Sequence, residues 1–270
     1  MDISLDNLQL DAIERLRNGK ILKGGVGSGK SRTAIGYFTT KVCGGTLRVN
    51  GVGDVKPMAT PKNLYILTTA KKRDDLDWQV EASRFGLSTD PSVSWGNVQV
   101  TVDSWNNILK YTEVEGAFFI FDEQRLVGSG AWVKAFYKIA KRNEWILLSA
   151  TPGDNWMDYI PAFVANGYYK NRTEFIRRHV VFSQHTKFPK IERYLEERVL
   201  CHLKAKLIIE MPYVSHTSRH IHIRPVTHDE ELFEKVLKKR WNVYEDRPIR
   251  EVSEMFALMS RVVNSDEART

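Results

Sequence analysis

Short apolar runs alternate with amphipathic segments through roughly the first half of the chain. The short runs suit buried strands, and the amphipathic segments repeat their apolar positions every three to four residues, as helices do. The predicted strands are 20–23, 63–69, 97–102, 117–121 and 145–150, and the predicted helices are 8–17, 31–40, 73–85, 104–111 and 131–142. This alternation predicts an α/β fold whose parallel sheet is covered by helices on both faces.

After the last predicted strand, the pattern changes to amphipathic segments joined by irregular links. A capping-box sequence at 227–230 predicts the start of a helix that runs to about Tyr244. A further helix is predicted over 248–264, where Met, Phe and aliphatic residues recur at helical spacing and are interpreted as core. We therefore expect one α/β domain at 1–152 and a mainly helical extension at 153–270.

Composition narrows the class of protein. With 42% hydrophobic residues in 270 positions the chain can bury a large core, and it has no apolar run of about 18 residues that would span a membrane. The N-terminal sequence lacks the pattern of a signal peptide, so we expect a cytoplasmic protein with no membrane partner. Cys43 and Cys201 are expected to be inert thiols. The net charge of +7 weakly favours an anionic partner such as nucleic acid.

Residues 24–31 read Gly-Gly-Val-Gly-Ser-Gly-Lys-Ser and match the phosphate-binding pattern G-x-x-x-x-G-K-[ST] at every fixed position. Glycines let backbone N–H groups curve around phosphate oxygens, and the helix that follows adds its positive N-terminal end. Lys30 can reach the β- and γ-phosphates, and Ser31 is placed to bind Mg²⁺. A chance glycine-rich turn is disfavoured because a strand precedes the pattern and a helix follows it. The pattern predicts a nucleoside triphosphate, ATP or GTP.

Two carboxylates follow the most apolar predicted strand. Asp122 and Glu123 come directly after Phe121, which places them at the carboxyl end of a parallel strand, where the phosphate loop also lies. Asp122 can hold Mg²⁺ together with Ser31, and Glu123 can act as general base toward water. An acidic turn without chemistry would be the preferred interpretation if the phosphate loop were missing. The predicted catalytic residues are Lys30, Asp122 and Glu123.

Two further positions add weaker signals. Ser149 and Thr151 end the next apolar strand, and their hydroxyls can relay the state of the γ-phosphate, although a turn before proline accounts for them as well. Gln9 lies on a helix before the phosphate loop, and its amide can pair with a donor and an acceptor of adenine. The predicted ATP-binding residues are Gln9, Gly24, Gly25, Val26, Gly27, Ser28, Gly29, Lys30, Ser31 and Arg32.

Taken in chain order, these residues resemble the first RecA-like domain of superfamily 2 helicases and translocases, and especially the Swi/Snf-like and DEAD-like helicases carried by phages. The resemblance covers most of the chain and identifies Gln9 with the Q motif, 24–31 with motif I, Asp122 and Glu123 with the DExx box, and 149–151 with the Ser-Ala-Thr motif. It implies a RecA-like P-loop domain, ATP and Mg²⁺ as ligands, ATP hydrolysis, and a role in phage or plasmid DNA replication or recombination in the host cytoplasm.

The same resemblance assigns nucleic-acid contacts, with DNA favoured over RNA. The segment from Thr68 to Glu81 looks like motif Ia, and the loop after the strand at 97–102 faces DNA in the family. A solvated helix start accounts for the lysines of the first segment equally well. Basic and aromatic residues around 168–178 suit either nucleic acid or a solvated helix with a packed aromatic face. The predicted contacts are Thr69, Lys71, Lys72, Ser104 and Trp105.

Two departures from the family matter. Gln124 and Arg125 replace the usual Ala-His or Ala-Asp after Asp-Glu, so the coupling between ATP and DNA is expected to differ. No second apolar strand–helix series follows residue 153, whereas the family has a second RecA-like domain that carries an arginine finger. Such a finger contributes on the order of 10³–10⁵ in rate. We expect weak hydrolysis by this chain alone, with the finger supplied by a second RecA-like subunit, another copy or a replication protein. Arg269 is not expected to supply it, because chain ends are usually mobile.

Three functions follow from these patterns, in decreasing order of support. The first is the motor half of a nucleic-acid-dependent ATPase, which the complete set of Lys30, Ser31, Asp122 and Glu123 favours. The second is a non-motor adaptor that binds DNA or protein and is gated by ATP, which the missing second domain favours. A P-loop kinase is disfavoured by the acidic pair and the Ser-Ala-Thr sequence. The histidines at 216–222 fit a strand with one wet face better than a metal site.

Overall fold

A computed structural model describes residues 2–123, 126, 128–184, 188–212 and 228–264. The chain divides into two compact units, residues 1–214 and residues 215–270. The predicted capping residue Thr227 and the histidines at 216–222 lie outside the described residues. Within those residues, the structure has no helix that is both long and apolar enough to cross a membrane.

The first unit is a series of strands and helices that includes the phosphate loop. Its strands are β1 (Asp2–Ile3), β2 (Ile21–Gly24), β3 (Arg48–Val49), β4 (Leu64–Thr68), β5 (Val100–Ser104), β6 (Phe118–Asp122), β7 (Glu144–Ser149), β8 (Val180–Phe182), β9 (Ile191–Tyr194) and β10 (Ile208–Met211). Its α-helices are α1 (Asn7–Arg15), α2 (Lys30–Tyr37), α3 (Ala70–Asp74), α4 (Asp77–Arg84), α5 (Ala131–Arg142), α6 (Ile160–Ala165), α7 (Arg172–His179) and α8 (Glu197–Leu207).

Six of these strands form one sheet in the order β10-β2-β7-β6-β4-β5, and every neighbouring pair is parallel. β6 lies in the interior of the sheet, and all five of its residues are buried. Phe118 and Ile120 join the apolar cluster on one face, whereas Phe119 and Phe121 join the cluster on the other face. Because both faces are covered, the strand is apolar throughout instead of alternating. The predicted α/β fold with a parallel sheet is confirmed.

The sixth strand of this sheet comes from the region that the sequence pattern assigns to an extension. β10 pairs in parallel with β2, with Ile208 beside Ile21 and Met211 beside Gly24. The compact units divide at 214/215, whereas the sequence pattern predicts a boundary at 152/153. The strand escapes the sequence pattern because it is a four-residue edge strand that directly follows α8, and so short an apolar run cannot be told from the end of a helix.

Three predicted helices differ in detail from the observed ones. The helix after the phosphate loop changes to π geometry over Phe38–Val42, where the Thr39 hydroxyl donates to the Ile35 and Gly36 carbonyls and so bonds back onto the helix. The predicted helix at 73–85 is two helices, because Leu76 adopts a left-handed backbone with φ 60° between them. The predicted 104–111 helix is a 3₁₀ segment, Trp105–Tyr111.

Within residues 228–264, the described part of the second unit, there are two helices, α9 (Glu230–Leu237) and α10 (Val252–Asn264), and two short antiparallel strands, β11 (Trp241–Asn242) and β12 (Arg247–Pro248). Its core forms around Val236, Leu258 and Val262. The observed cap of α9 is Asp229, whose carboxylate accepts from the Leu232 N–H at 2.9 Å. The helix ends before the predicted Tyr244 because the chain turns into the β11–β12 hairpin.

Candidate nucleotide site

The phosphate loop connects the end of β2 to the start of α2. Gly27 and Gly29 have φ values of 81° and 77°, which glycine adopts without the strain that a side chain would add. A Cβ at Gly24 would lie 2.5 Å from the Ser28 hydroxyl oxygen, so the loop closes on itself only where side chains are missing. Gly29 caps α2 without a side-chain hydrogen bond, which leaves the first backbone N–H groups of the helix directed at the loop.

Lys30 is buried beneath this loop. Its ammonium donates to the backbone carbonyls of Gly24 and Gly25, both at 2.8 Å. Burial lowers the pKa of Lys30, while the carboxylates of Glu123 and Asp122 act in the opposite direction. The side chain is therefore held by neutral carbonyl oxygens, which an anionic phosphate can replace as stronger partners.

The loop also contains a polar atom that suits a ligand. The Ser28 hydroxyl is buried and has no hydrogen-bond partner within the described protein. An unpaired buried hydroxyl is costly, and a phosphate oxygen would satisfy it. Together with the free helix N-terminus and Lys30, this atom makes the loop fit a nucleotide phosphate group.

The acidic pair stands at the carboxyl end of β6. Asp122 is 1% exposed, and its Oδ2 accepts from the Thr68 hydroxyl at 2.8 Å, the Trp78 indole N–H at 3.0 Å and the Lys72 ammonium at 3.2 Å. Glu123 has a left-handed backbone with φ 55°, and its Oε1 lies 2.8 Å from the same ammonium. The pair is thus held by residues of β4, α3 and α4.

The phosphate loop and the acidic pair share one cleft of about 460 Å³. Within the described residues, the cleft is lined by Gln9, Val26, Gly27, Gly29, Lys30, Ser31, Arg32, Lys72, Glu81, Asp122 and Glu123. Arg32 is paired there with Glu81, with Nε and Oε1 2.6 Å apart. The predicted Mg²⁺ ligands Ser31 and Asp122 both line this cleft, and their hydroxyl and carboxylate oxygens are donors that Mg²⁺ accepts.

Gln9 is buried beside the loop and already has a structural task. Its Oε1 accepts from the Asp6 N–H at 3.0 Å, and Asp6 Oδ1 accepts from the Gln9 N–H at 2.8 Å, so the two form the capping box of α1. Its Nε2 faces Gly29, where a Cβ would approach within 2.1 Å. Gln9 therefore supports the phosphate loop directly, and adenine contact by the same side chain stays a prediction.

The two hydroxyl residues after β7 do not line the cleft. Ser149 is buried at the end of β7, and its oxygen accepts from the Thr151 N–H at 3.1 Å. The Thr151 side chain is exposed. Because Ser149 pairs across the sheet with Lys23 just before the phosphate loop, the segment is adjacent to the site in the sheet, and its coupling role stays a prediction.

The residues predicted to contact nucleic acid separate into three environments. Lys71 is exposed, and Thr69 caps α3 by accepting from the Lys72 N–H. Lys72 points into the cleft and binds the acidic pair. Ser104 and Trp105 are 3% and 2% exposed, and the Trp105 indole N–H donates to the Asp122 carbonyl at 2.9 Å. These two side chains face the interior, so the structure corrects the expectation that they present a surface.

The remaining sequence signals concern histidines and cysteines. His179 is fully buried, where its Nε2 lies 2.8 Å from the Tyr169 hydroxyl and its Nδ1 lies 3.1 Å from the Leu195 carbonyl oxygen. Among the described residues, no three His, Cys, Asp or Glu side chains converge as a metal site would require. Cys43 is buried, whereas Cys201 is exposed, so the expectation of inert thiols fits only the burial of Cys43.

Sequence reasoning missed the contact of Lys72 with the acidic pair, and it gave Trp78 and Glu81 no role in the cleft. The available signal was their spacing: Trp78 and Glu81 are three residues apart and so lie on one face of α4. Trp78 reaches the acidic pair and Glu81 reaches Arg32. The segment that resembles motif Ia therefore contributes residues to the candidate nucleotide site.

No protein-family model matches the chain, and no curated protein matches it. Among solved structures, the chain is similar to the Sulfolobus solfataricus SWI2/SNF2 ATPase core in complex with dsDNA, with a TM-score of 0.55 and 16% identity over 77% of this chain and 44% of that one. It also matches the Pyrococcus furiosus Hef helicase domain, with a TM-score of 0.44 and 16% identity over 64% of this chain and 39% of that one. The chain spans less than half of either protein. The first similarity shows that this chain shares the α/β fold of that ATPase core.

Proposed function

We propose that this chain is the ATP-binding half of a nucleic-acid-dependent ATPase of the helicase and translocase kind. The observation that carries the proposal is the convergence of Lys30, Ser31, Asp122 and Glu123 on one cleft. Each of the four residues has a separate task in phosphoryl transfer. Packing of the fold does not by itself require these four side chains to meet at the phosphate loop. The similarity of the fold to a SWI2/SNF2 ATPase core agrees with this assignment.

The chemistry assigned to these residues is hydrolysis of the γ-phosphate. Lys30 leaves the Gly24 and Gly25 carbonyls and holds phosphate oxygens as a point charge, while the loop N–H groups and Ser28 hold the remaining oxygens. Glu123 takes a proton from water as the water oxygen attacks phosphorus and the bond to the ADP oxygen breaks. Ser31 and Asp122 would hold Mg²⁺, which when bound neutralises charge that develops on the phosphates.

An arginine finger is expected to come from elsewhere. Within the described residues, the arginine that lines the cleft is Arg32, and Glu81 already neutralises it. A second RecA-like subunit, a second copy of the chain or a replication protein would supply the missing charge. We favour DNA as the nucleic acid because the similar ATPase core is a complex with dsDNA. The resemblance to phage helicases favours a role in phage DNA replication or recombination.

The test is ATP hydrolysis with and without single- and double-stranded DNA. Lys30→Ala should abolish turnover and weaken nucleotide binding, because it removes the cation of the loop. Lys134→Ala is the matched control, since Lys134 is exposed on α5. Glu123→Gln should keep nucleotide binding and lose hydrolysis. DNA-stimulated turnover that survives in Lys30→Ala would refute the proposal.

A second candidate function is an ATP-gated adaptor that binds DNA or protein with little turnover. The observation that favours it is the set of ion pairs in the cleft, in which Lys72 holds both acidic side chains and Lys30 is held by loop carbonyls. A bound nucleotide would displace both lysines from these partners. This rearrangement alone can change the surface that binds DNA or protein. The adaptor would be favoured over the motor if nucleotide changes the binding of DNA or of a partner, and if no added RecA-like partner stimulates ATP hydrolysis.

A further inference from the structure

Lys72 is the residue of α3 whose side chain contacts both members of the acidic pair. Its ammonium lies 3.2 Å from Asp122 Oδ2 and 2.8 Å from Glu123 Oε1, so one cation bridges the two carboxylates. The side chain is 28% exposed, which leaves it a path to withdraw toward solvent.

The helix that carries Lys72 is attached on its other side to the edge of the sheet. Arg73 Nη1 lies 3.5 Å from Asp103 Oδ1, at the carboxyl end of the edge strand β5. Asp103 also accepts from the Tyr111 hydroxyl at 2.7 Å and from the Asn107 amide at 2.8 Å, which fixes its position. Two adjacent side chains of α3 therefore connect the acidic pair with the end of β5.

Two simpler roles for Lys72 fit its contacts less well. A phosphate contact to nucleic acid needs an ammonium at the surface, whereas this one is directed at two carboxylates inside the cleft. A purely structural ion pair accounts for the contacts themselves, but Lys72 bridges two side chains, of which one is assigned to Mg²⁺ and the other to water. Lys72 therefore places a positive charge beside the carboxylate to which Mg²⁺ binding is assigned.

We propose that Lys72 is a tethered cation that neutralises the acidic pair in the absence of a divalent metal and gives up both carboxylates when the metal arrives. This inference rests on the proposed function only in taking Asp122 as a metal ligand. Lys72 is thus a positioning residue: it competes with the metal for Asp122, and its release removes the contacts of its ammonium with the acidic pair.

The first test measures Mn²⁺ binding without nucleotide or nucleic acid, by electron paramagnetic resonance of the free ion. Lys72→Gln removes the competing charge, and we expect it to bind Mn²⁺ on the order of tenfold more tightly, within the range usual for coupled sites. Lys72→Arg should bind as the unchanged chain does. Lys134→Gln, which removes an exposed ammonium of α5, is the matched control and should also leave the affinity unchanged. Equal or weaker binding by Lys72→Gln, or no binding by any variant, would overturn the proposal.

The second test uses the unchanged chain and so does not depend on how the variants fold. Acetylation of lysines by acetic anhydride is followed by mass spectrometry at increasing Mn²⁺ concentration. Lys72 should become more reactive as the metal displaces it, while the reactivity of Lys71 stays constant. Constant reactivity of Lys72 at saturating Mn²⁺ would overturn the proposal. Neither test uses ATP hydrolysis, so failure here is distinguishable from failure of the ATPase assignment.

Discussion

Gly29 allows a quantitative test of how the phosphate loop is supported. Its φ is 77°, and a Cβ there would lie 2.1 Å from Gln9 Nε2. The Gln9 side chain is not free to withdraw, because its Oε1 accepts from the Asp6 N–H at 3.0 Å in the capping box of α1. The substitution Gly29→Ala therefore combines two costs, a strained backbone and a broken cap.

The two costs can be separated with a matched glycine. Gly167 has φ 73°, and no atom lies within 4 Å of a Cβ placed there, so Gly167→Ala measures strain alone. A left-handed backbone costs alanine about 1–2 kcal/mol, and the smaller freedom of the unfolded chain offsets about 0.4–1 kcal/mol of that. We expect Gly167→Ala to lower the free energy of unfolding by about 1 kcal/mol, and Gly29→Ala by about 1 kcal/mol more, which is the usual cost of losing a cap.

The assay is urea unfolding followed by tryptophan fluorescence, with nucleotide affinity measured on the same samples. In a Gln9→Ala background, Gly29→Ala should cost no more than Gly167→Ala does, because the clash has been removed. Only Gly29→Ala should weaken nucleotide binding. If the two glycine substitutions differ by less than about 0.4 kcal/mol, the limit within which independent sites agree, Gln9 does not position the loop.

Two further predictions concern buried groups outside the cleft. Tyr169→Phe should lower the free energy of unfolding by about 1–3 kcal/mol, because it leaves buried His179 Nε2 without its partner at 2.8 Å. Tyr168→Phe, on the neighbouring half-buried ring, should change it by less than about 0.5 kcal/mol in the same urea assay, and equal losses would contradict the assigned hydrogen bond. Alkylation by iodoacetamide at mildly alkaline pH should label Cys201 in the native chain and spare Cys43, since burial raises the pKa of the Cys43 thiol to about 11. Mass spectrometry that finds equal labelling rates would refute the burial of Cys43.

The parts of the fold that the sequence predicts well are those whose local pattern and tertiary setting agree. The helix predicted at 131–142 has the same bounds in the structure, because its apolar stripe packs on a sheet face over its whole length. The strand that ends in Asp122 is predicted one residue early, at 117–121, and its unbroken apolar run correctly indicates burial on both faces. Gly24, Gly27 and Gly29 each have a backbone or packing reason in the structure, and the spacing of the phosphate-binding pattern is enough to find them.

The misses arise where a residue's environment depends on distant parts of the chain. Trp105 follows a strand in a position that the family resemblance assigns to DNA, yet its indole N–H finds the Asp122 carbonyl across the sheet. β10 belongs to the sheet because it pairs with β2, and the local sequence pattern does not predict which strand is its parallel partner. Lys72 has the sequence context of a solvated helix start, and only the fold reveals that α3 turns it into the cleft.

Because Thr68, Trp78 and Lys72 all donate to one oxygen of Asp122, the acidic pair and the segment from β4 to α4 respond to each other. Any ligand that moves this segment changes the hydrogen bonds of Asp122, and therefore its affinity for a cation. Thermodynamic linkage requires the converse by the same factor: a cation bound at Asp122 changes the affinity of the segment for that ligand. The exposed Lys71 on the same helix gives an anionic polymer a point of attachment to the segment. Under the proposed function, coupling between this cleft and nucleic acid would need no long relay, because the short helix α3 carries both Lys72 at the acidic pair and the exposed Lys71.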